Sequence, residues 1–213
     1  MSKQKDQQFM KAFFVIILFL VYTIFIPTIS LDRIVKIFLD VVYIGFLLYF
    51  FKDEFKEAFK ITRAHIFKFI GMILLFWLIS TIVSGLANML LDTVLKISLP
   101  NNAAQLDLMK SAPVYLMFSM LVFSPIIEEL SMTVAVRKLI KNKWLYLLAS
   151  SLLCGILYVA FSGSPMSYFF IISYALQALV WSIAYLKTDN ILVPIGIHLI
   201  QNIIMIIGYA SII

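Results

Sequence analysis

The chain has 213 residues, 63% of them hydrophobic and 13% charged, with a formal net charge of +6 and a mean hydropathy of +1.03. Soluble domains are about 45–50% apolar and roughly 25% charged, so the composition excludes an ordinary soluble domain and makes the bilayer the solvent. The positive excess reads as loop charge that sets topology rather than as a nucleic-acid surface, and no nucleic-acid partner is expected.

Several apolar runs approach or exceed the ~20 residues that cross a bilayer. Backbone groups in lipid must be satisfied within their own segment, which favours helices. The expected fold class is therefore all-α, a polytopic transmembrane helix bundle of about seven spans, possibly eight. The spans fall at residues 12–30, 33–51, 67–91, 113–140, 145–162, 167–187 and 190–211. The basic start MSKQKDQQFMK leads into the first of them and reads as a retained helix rather than a cleaved signal. With the N-terminus in the cytoplasm, thirteen of the 17 basic residues lie on inside segments. Arg33, Lys36, Lys96 and Lys110 are the exceptions, and the positive-inside rule fixes that orientation. The expected location is the cell membrane.

Residues 52–68, KDEFKEAFKITRAHIFK, alternate Phe55, Phe59, Ile61, Ile66 and Phe67 with charges. This pattern predicts an amphipathic helix at the cytoplasmic interface, where its Lys and Arg side chains meet anionic headgroups. His65 belongs to that surface. The outer connection 92–112 is the longest and reads as a loop. The chain divides into an N-terminal region, 1–111, and a core, 112–213, within one folded unit. Cys154 is the single cysteine, so no intramolecular disulfide can form.

Ionisable residues inside membrane spans are expensive and mark partners or cavities. Lys36 and Asp40 sit four apart and are expected to pair on one helix face. Glu128 and Glu129 lie in the fourth span and His198 in the last, with Tyr158, Gln177, Gln201 and Asn202 as neutral polar neighbours. At about 1.5 Å per residue, Glu128 and Asn202 lie roughly 18 Å from the cytoplasmic ends, Tyr158 roughly 20 Å and His198 roughly 12 Å. This convergence suggests one hydrated cavity open to the cytoplasm. Paired carboxylates in such a place are raw material for general acid–base work. Two Glu and one His make a poor metal set without an HExxH motif, and neither a metal nor another cofactor is expected.

PIIEEL, SSLLCGILY and NILVPIGIHLIQN, in that order on separate spans, resemble the three motif regions of the CPBP family. These are intramembrane glutamic endopeptidases that include type II CAAX prenyl endopeptidases, bacteriocin self-immunity proteins and lysostaphin-resistance-type proteins. The resemblance covers about residues 110–211. It implies that Glu128 is the base that activates water and that His198 and Asn202 stabilise an oxyanion. Glu129 completes the first motif. Two of the three motifs depart from the pattern. Where the family's EExxxR has arginine the chain has Thr133, and where FxxxH has phenylalanine and histidine it has Cys154 and Tyr158. A tyrosine, with an ordinary pKa near 10, is a poor base.

Three functions remain open on these residues. One is a degenerate family member that binds a membrane peptide or a membrane or envelope protein, in immunity or cell-envelope control. The second is an active but atypical endopeptidase in which Tyr158 orients water for Glu128. The third is a carrier, for which no repeated halves speak.

Overall fold

A computed structural model describes residues 2–96, 103–160 and 165–212. Among the described residues there is no strand. The helices are α1 Ser2–Phe25, α2 Arg33–Phe50, α3 Lys52–Ala64, α4 Ile66–Leu95 and α5 Ala103–Ser111, followed by α6 Pro113–Leu139, α7 Lys143–Ala160, α8 Ile171–Thr188 and α9 Leu192–Ile212.

Local chemistry sets the boundaries. A single turn of tighter helix at Ile26–Thr28, with its proline, ends α1 five residues before the expected end of the first span, because proline fixes φ and withdraws a donor. Asp32 then accepts from the Ile34 amide at 2.8 Å and opens α2, as an N-cap should. Asn142 does the same for α7, accepting from Trp144 and Leu145. Pro113 occupies the first turn of α6, where its missing N–H is no loss.

Six helices are long and apolar enough to cross a membrane. The seventh expected span, α2, carries Arg33, Lys36 and Asp40 within its 18 residues. It continues into α3 through a 76° bend. The amphipathic segment stops earlier than 68: α3 breaks after Ala64, and exposed His65 begins the turn into α4. The connection at 92–112 is not wholly loop, since α5 forms within it, and residues 97–102 lie outside the described residues.

Most of the perimeter is apolar, as a lipid-facing surface must be; Leu74, Leu78, Ile82, Leu86 and Leu90 line one exposed face of α4. Inside, Val15, Leu47, Leu130, Val134 and Tyr146 join α1, α2, α6 and α7, while Phe69, Phe76, Trp181 and Ile197 join α4, α8 and α9. Helices α7 and α8 approach closely at Gly155. A Cβ placed on Gly155 would come 2.6 Å from the Ile171 carbonyl oxygen and 3.1 Å from Ala175 Cβ. Small residues permit this kind of close contact in membrane bundles.

The basic segments gather at one end. Lys138, near the end of α6, pairs with Glu54 of α3, and Arg137 closes the helix by donating to the carbonyls of Ile140 and Lys141 at 2.8 and 2.7 Å. Asn190, between α8 and α9, donates to Thr62 Oγ1 at 2.8 Å and to the Ala58 carbonyl at 3.3 Å.

Candidate functional site

The site is built on a distorted helix. The backbone of α6 widens to π-helical i→i+5 spacing at Ser119–Phe123 and again at Glu129–Ala135, with one α-helical turn, Ser124–Glu128, between. Such bulges are uncommon and concentrate at functional sites. Pro125 lies in this turn, and a proline removes one ladder bond. Neighbouring residues on a helix point about 100° apart, so Glu128 and Glu129 serve different surroundings.

Glu128 is half-buried. One of its oxygens accepts from Ser124 Oγ at 2.6 Å and the other from Tyr158 Oη at 2.7 Å. Glu129 is buried, accepting from Thr133 Oγ1 at 2.7 Å through Oε2, with His198 Nδ1 at 3.1 Å from Oε1. His198 Nε2 lies 3.3 Å from Ser124 Oγ, and the ring rests against Trp181 with centroids 4.7 Å apart. The six side chains thus form one chain of contacts: Tyr158, Glu128, Ser124, His198, Glu129, Thr133. Asn202, one turn beyond His198, donates to the Met120 carbonyl at 2.7 Å. That carbonyl belongs to the first π-helical stretch, where the changed register weakens its helical bonding.

The structure joins most of the singled-out polar residues but leaves Asn202 apart on the Met120 carbonyl, and it adds one. Glu128, Glu129, Tyr158, Thr133 and His198 are all joined, although they come from α6, α7 and α9. The addition is Ser124, which links the two carboxylate arms. Its signal was present in the spacing, since 124 and 128 are one turn apart, as are 129 and 133. Both departures from the motif pattern keep contact with the carboxylate that their positions face. Thr133 and Tyr158 do so with neutral hydroxyls. Among the described residues, His198 is the only cationic-capable group within 4.0 Å of either glutamate. No group of three or more His, Cys, Asp or Glu converges as a metal would need, among the described residues.

The cavity differs from the expected one. It encloses about 230 Å³. Its walls come from the end of α1 (Tyr22, Ile26), the start of α2 (Lys36, Asp40), the start of α6 (Tyr115, Ser119) and the end of α7 (Tyr158), with Glu128 at its floor. These helix ends lie opposite the basic end, so the cavity occupies the other half of the bundle rather than opening through the basic face. Depth along each helix could not show direction. His198 and Asn202 reach the level of Glu128 but point into α6, and His198 is 1% exposed. Lys36 and Asp40 form no ion pair within 4.0 Å among the described residues, although the Lys36 charge still acts on Asp40. Asp40, 1% exposed, accepts from Tyr22 Oη at 2.5 Å, while Lys36 Nζ lies 5.6 Å from the centroid of the Tyr115 ring. Gln201 turns to α4 instead, accepting from Trp77 Nε1 at 3.2 Å and from Thr81 Oγ1 at 3.4 Å.

Fold and site define a multi-pass α-helical membrane protein with a carboxylate–imidazole network inside the bundle. Residues 110–204 match the family described as type II CAAX prenyl endopeptidase Rce1-like, which bears out the resemblance to CPBP proteins over the C-terminal half of the chain. No curated protein and no solved structure matches the chain.

Proposed function

We propose that the protein binds a membrane peptide or the membrane segment of an envelope protein in the cavity beside Glu128, with weak or no proteolysis, as part of immunity or cell-envelope control. The observation that carries this reading is how the polar groups are spent. Both ring nitrogens of His198 are engaged inside the bundle, and the Asn202 amide is bonded to Met120. His198 has no nitrogen left to receive charge on a substrate oxygen, where a donor contributes most to acyl transfer, and Asn202 keeps a single amide N–H beyond its bond to Met120. What the cavity receives from the motif positions is Glu128 and Tyr158, a carboxylate and a hydroxyl set among apolar walls. Such a lining suits an apolar segment with a few polar groups to orient it. The protein is read as resident in the cell membrane, its basic end in the cytoplasm and in contact with anionic headgroups.

The competing reading is an active, atypical endopeptidase in which Glu128 activates water. It is favoured by the unbroken contacts from Glu128 through Ser124 to His198 and Glu129, an arrangement that could move a proton. One experiment decides between them. In the native host, membrane- and envelope-protein termini are mapped by mass spectrometry in four strains: unmodified, deleted, Glu128→Gln, and Ser119→Trp, which fills the cavity. Binding predicts that Ser119→Trp reproduces the deletion phenotype while no termini vanish in the Glu128→Gln strain. Loss of the same termini in the deleted and Glu128→Gln strains, at equal expression, makes the protein a peptidase.

A further inference from the structure

Ser124 has one hydroxyl proton and two neighbours able to take it. Glu128 Oε1 is 2.6 Å from its Oγ and His198 Nε2 is 3.3 Å away. Beyond the imidazole, Nδ1 faces Glu129 at 3.1 Å. A carboxylate there holds the Nδ1 proton in place, as partners of one ring nitrogen fix the role of the other.

Two proton arrangements satisfy these heavy-atom positions. In the first, Ser124 donates to an ionised Glu128, and the Nε2–H of an imidazolium donates to Ser124 Oγ. In the second, a protonated Glu128 donates to Ser124, and Ser124 donates to Nε2 of a neutral imidazole. The two hold the same number of protons. They interconvert when the Nε2–H bond breaks as a new Oγ–H bond forms, while the original Oγ–H bond breaks and Oε1–H forms. Nothing enters or leaves.

We propose that Ser124 is a proton relay between Glu128 and His198, so that the carboxylate facing the cavity and the sealed imidazole share one proton. The relay goes beyond the binding reading and does not depend on it. Its use is to give Glu128 an imidazole from α9 at the point where α7 offers Tyr158, a group that can donate to Glu128 but is a poor proton acceptor. It acts through Glu128 and so is a positioning device rather than a group that touches a ligand. The charged and titratable surroundings include Tyr146 of α7 beside Glu129, Tyr174 of α8 stacked on Tyr158 and Tyr115 of α6 on the cavity wall. Glu129 comes from α6, Cys154 and Tyr158 from α7, and α8 contributes the Trp181 ring. Across the cavity stand Tyr22, Lys36 and Asp40.

The chain has two histidines, and His65 is exposed at the α3–α4 junction. Full-length protein labelled with 15N-histidine and 13C-glutamate, in lipid nanodiscs, therefore gives two imidazole sets, with His65 as internal reference. Imidazole nitrogen and glutamate carboxyl shifts are followed against pH. The expected result is one midpoint shared by His198 Nε2 and a glutamate carboxyl that disappears in Glu128→Gln. Ser124→Ala should abolish the sharing and Ser124→Thr, which retains a hydroxyl, should keep it. A merely structural Ser124 would change thermal stability without uncoupling the two curves. The proposal is overturned if wild-type His198 shares its midpoint with no glutamate, or if Ser124→Ala leaves its Nε2 curve on the wild-type curve. Should Ser124→Ala not fold, Glu128→Gln decides: an Nε2 curve unmoved by that substitution ends the proposal.

Discussion

The Thr133 hydroxyl donates to Glu129 Oε2 at 2.7 Å across one helical turn, at the position where the resemblance expects arginine. Thr133 is buried with its partner, so the bond has no water to replace it. Thr133→Val keeps the shape and removes the donor. Side-chain hydrogen bonds inside membrane bundles contribute about 0.6 kcal/mol on average and up to roughly 1.7, and a buried ionisable acceptor belongs at the upper end. A double-mutant cycle of Thr133→Val with Glu129→Gln, measured by reversible unfolding in mixed micelles, should give a coupling of about 1–2 kcal/mol. A coupling near zero would mean that Glu129 relies on His198 alone.

A similar argument applies to Asp40 and Tyr22, which meet on the cavity wall at 2.5 Å. Tyr22→Phe leaves a fully buried carboxyl without its donor, whereas Asp40→Leu removes the polar group altogether. Breaking one half of a buried polar pair is worse than replacing both halves by apolar groups. The expected order of thermal stability is therefore wild type close to Tyr22→Phe/Asp40→Leu, with Tyr22→Phe alone clearly lower. The opposite order, with the double variant lowest, would show that the cavity wall needs the carboxyl for more than its bond to Tyr22.

How much of this was legible follows from what sequence encodes directly. Apolar run length gave the spans, and the positions of α4, α6, α7 and α9 lie within a few residues of the expected ones because lipid leaves the backbone little choice. Adjacent Glu128 and Glu129, and His198 four residues before Asn202, marked the network because charge in a membrane is rare. Direction was not legible. A residue count places His198 and Asn202 near the level of Glu128, but whether a side chain meets the cavity or the next helix depends on the rotation of α9 and on the π-helical stretches of α6, which have no simple sequence signature. The same blindness hid the Tyr22–Asp40 bond, since α1 and α2 meet through tertiary packing and not through any i,i+4 spacing.

Topology is a matter of parity. If α2 crosses the membrane, seven spans put the N- and C-termini on opposite sides; if α2 and α3 together fail to cross, six spans put them on the same side. In a Cys154→Ala background, Gln8→Cys and Ser211→Cys are exposed to a membrane-impermeant maleimide in sealed, right-side-out vesicles. The expected outcome is labelling at 211 and protection at 8 until the vesicles are opened. Equal behaviour of the two positions would remove α2 from the spanning set.

Asn190 ties α3 to the bundle from both of its ends. Its amide donates to Thr62 Oγ1 and the Ala58 carbonyl, and its Oδ1 accepts from the Leu192 amide at 2.9 Å, opening α9. The side chain is fully buried, so Asn190→Ala leaves the Thr62 hydroxyl, the Ala58 carbonyl and the Leu192 amide short of a partner together. Loss of such a cap typically costs about 0.5–2 kcal/mol. The anchoring of α3 should suffer more than the spans, because it rests otherwise on the Lys138–Glu54 pair and the packing of Phe55 and Ala58. Hydrogen exchange in nanodiscs should then quicken across Lys52–Ala64 by roughly two- to thirtyfold, as expected for local opening made easier by that amount, while α8 keeps its protection. Quickening confined to the first turn of α9 would mean that Asn190 serves only as a helix cap, and that the membrane surface itself holds α3 in place.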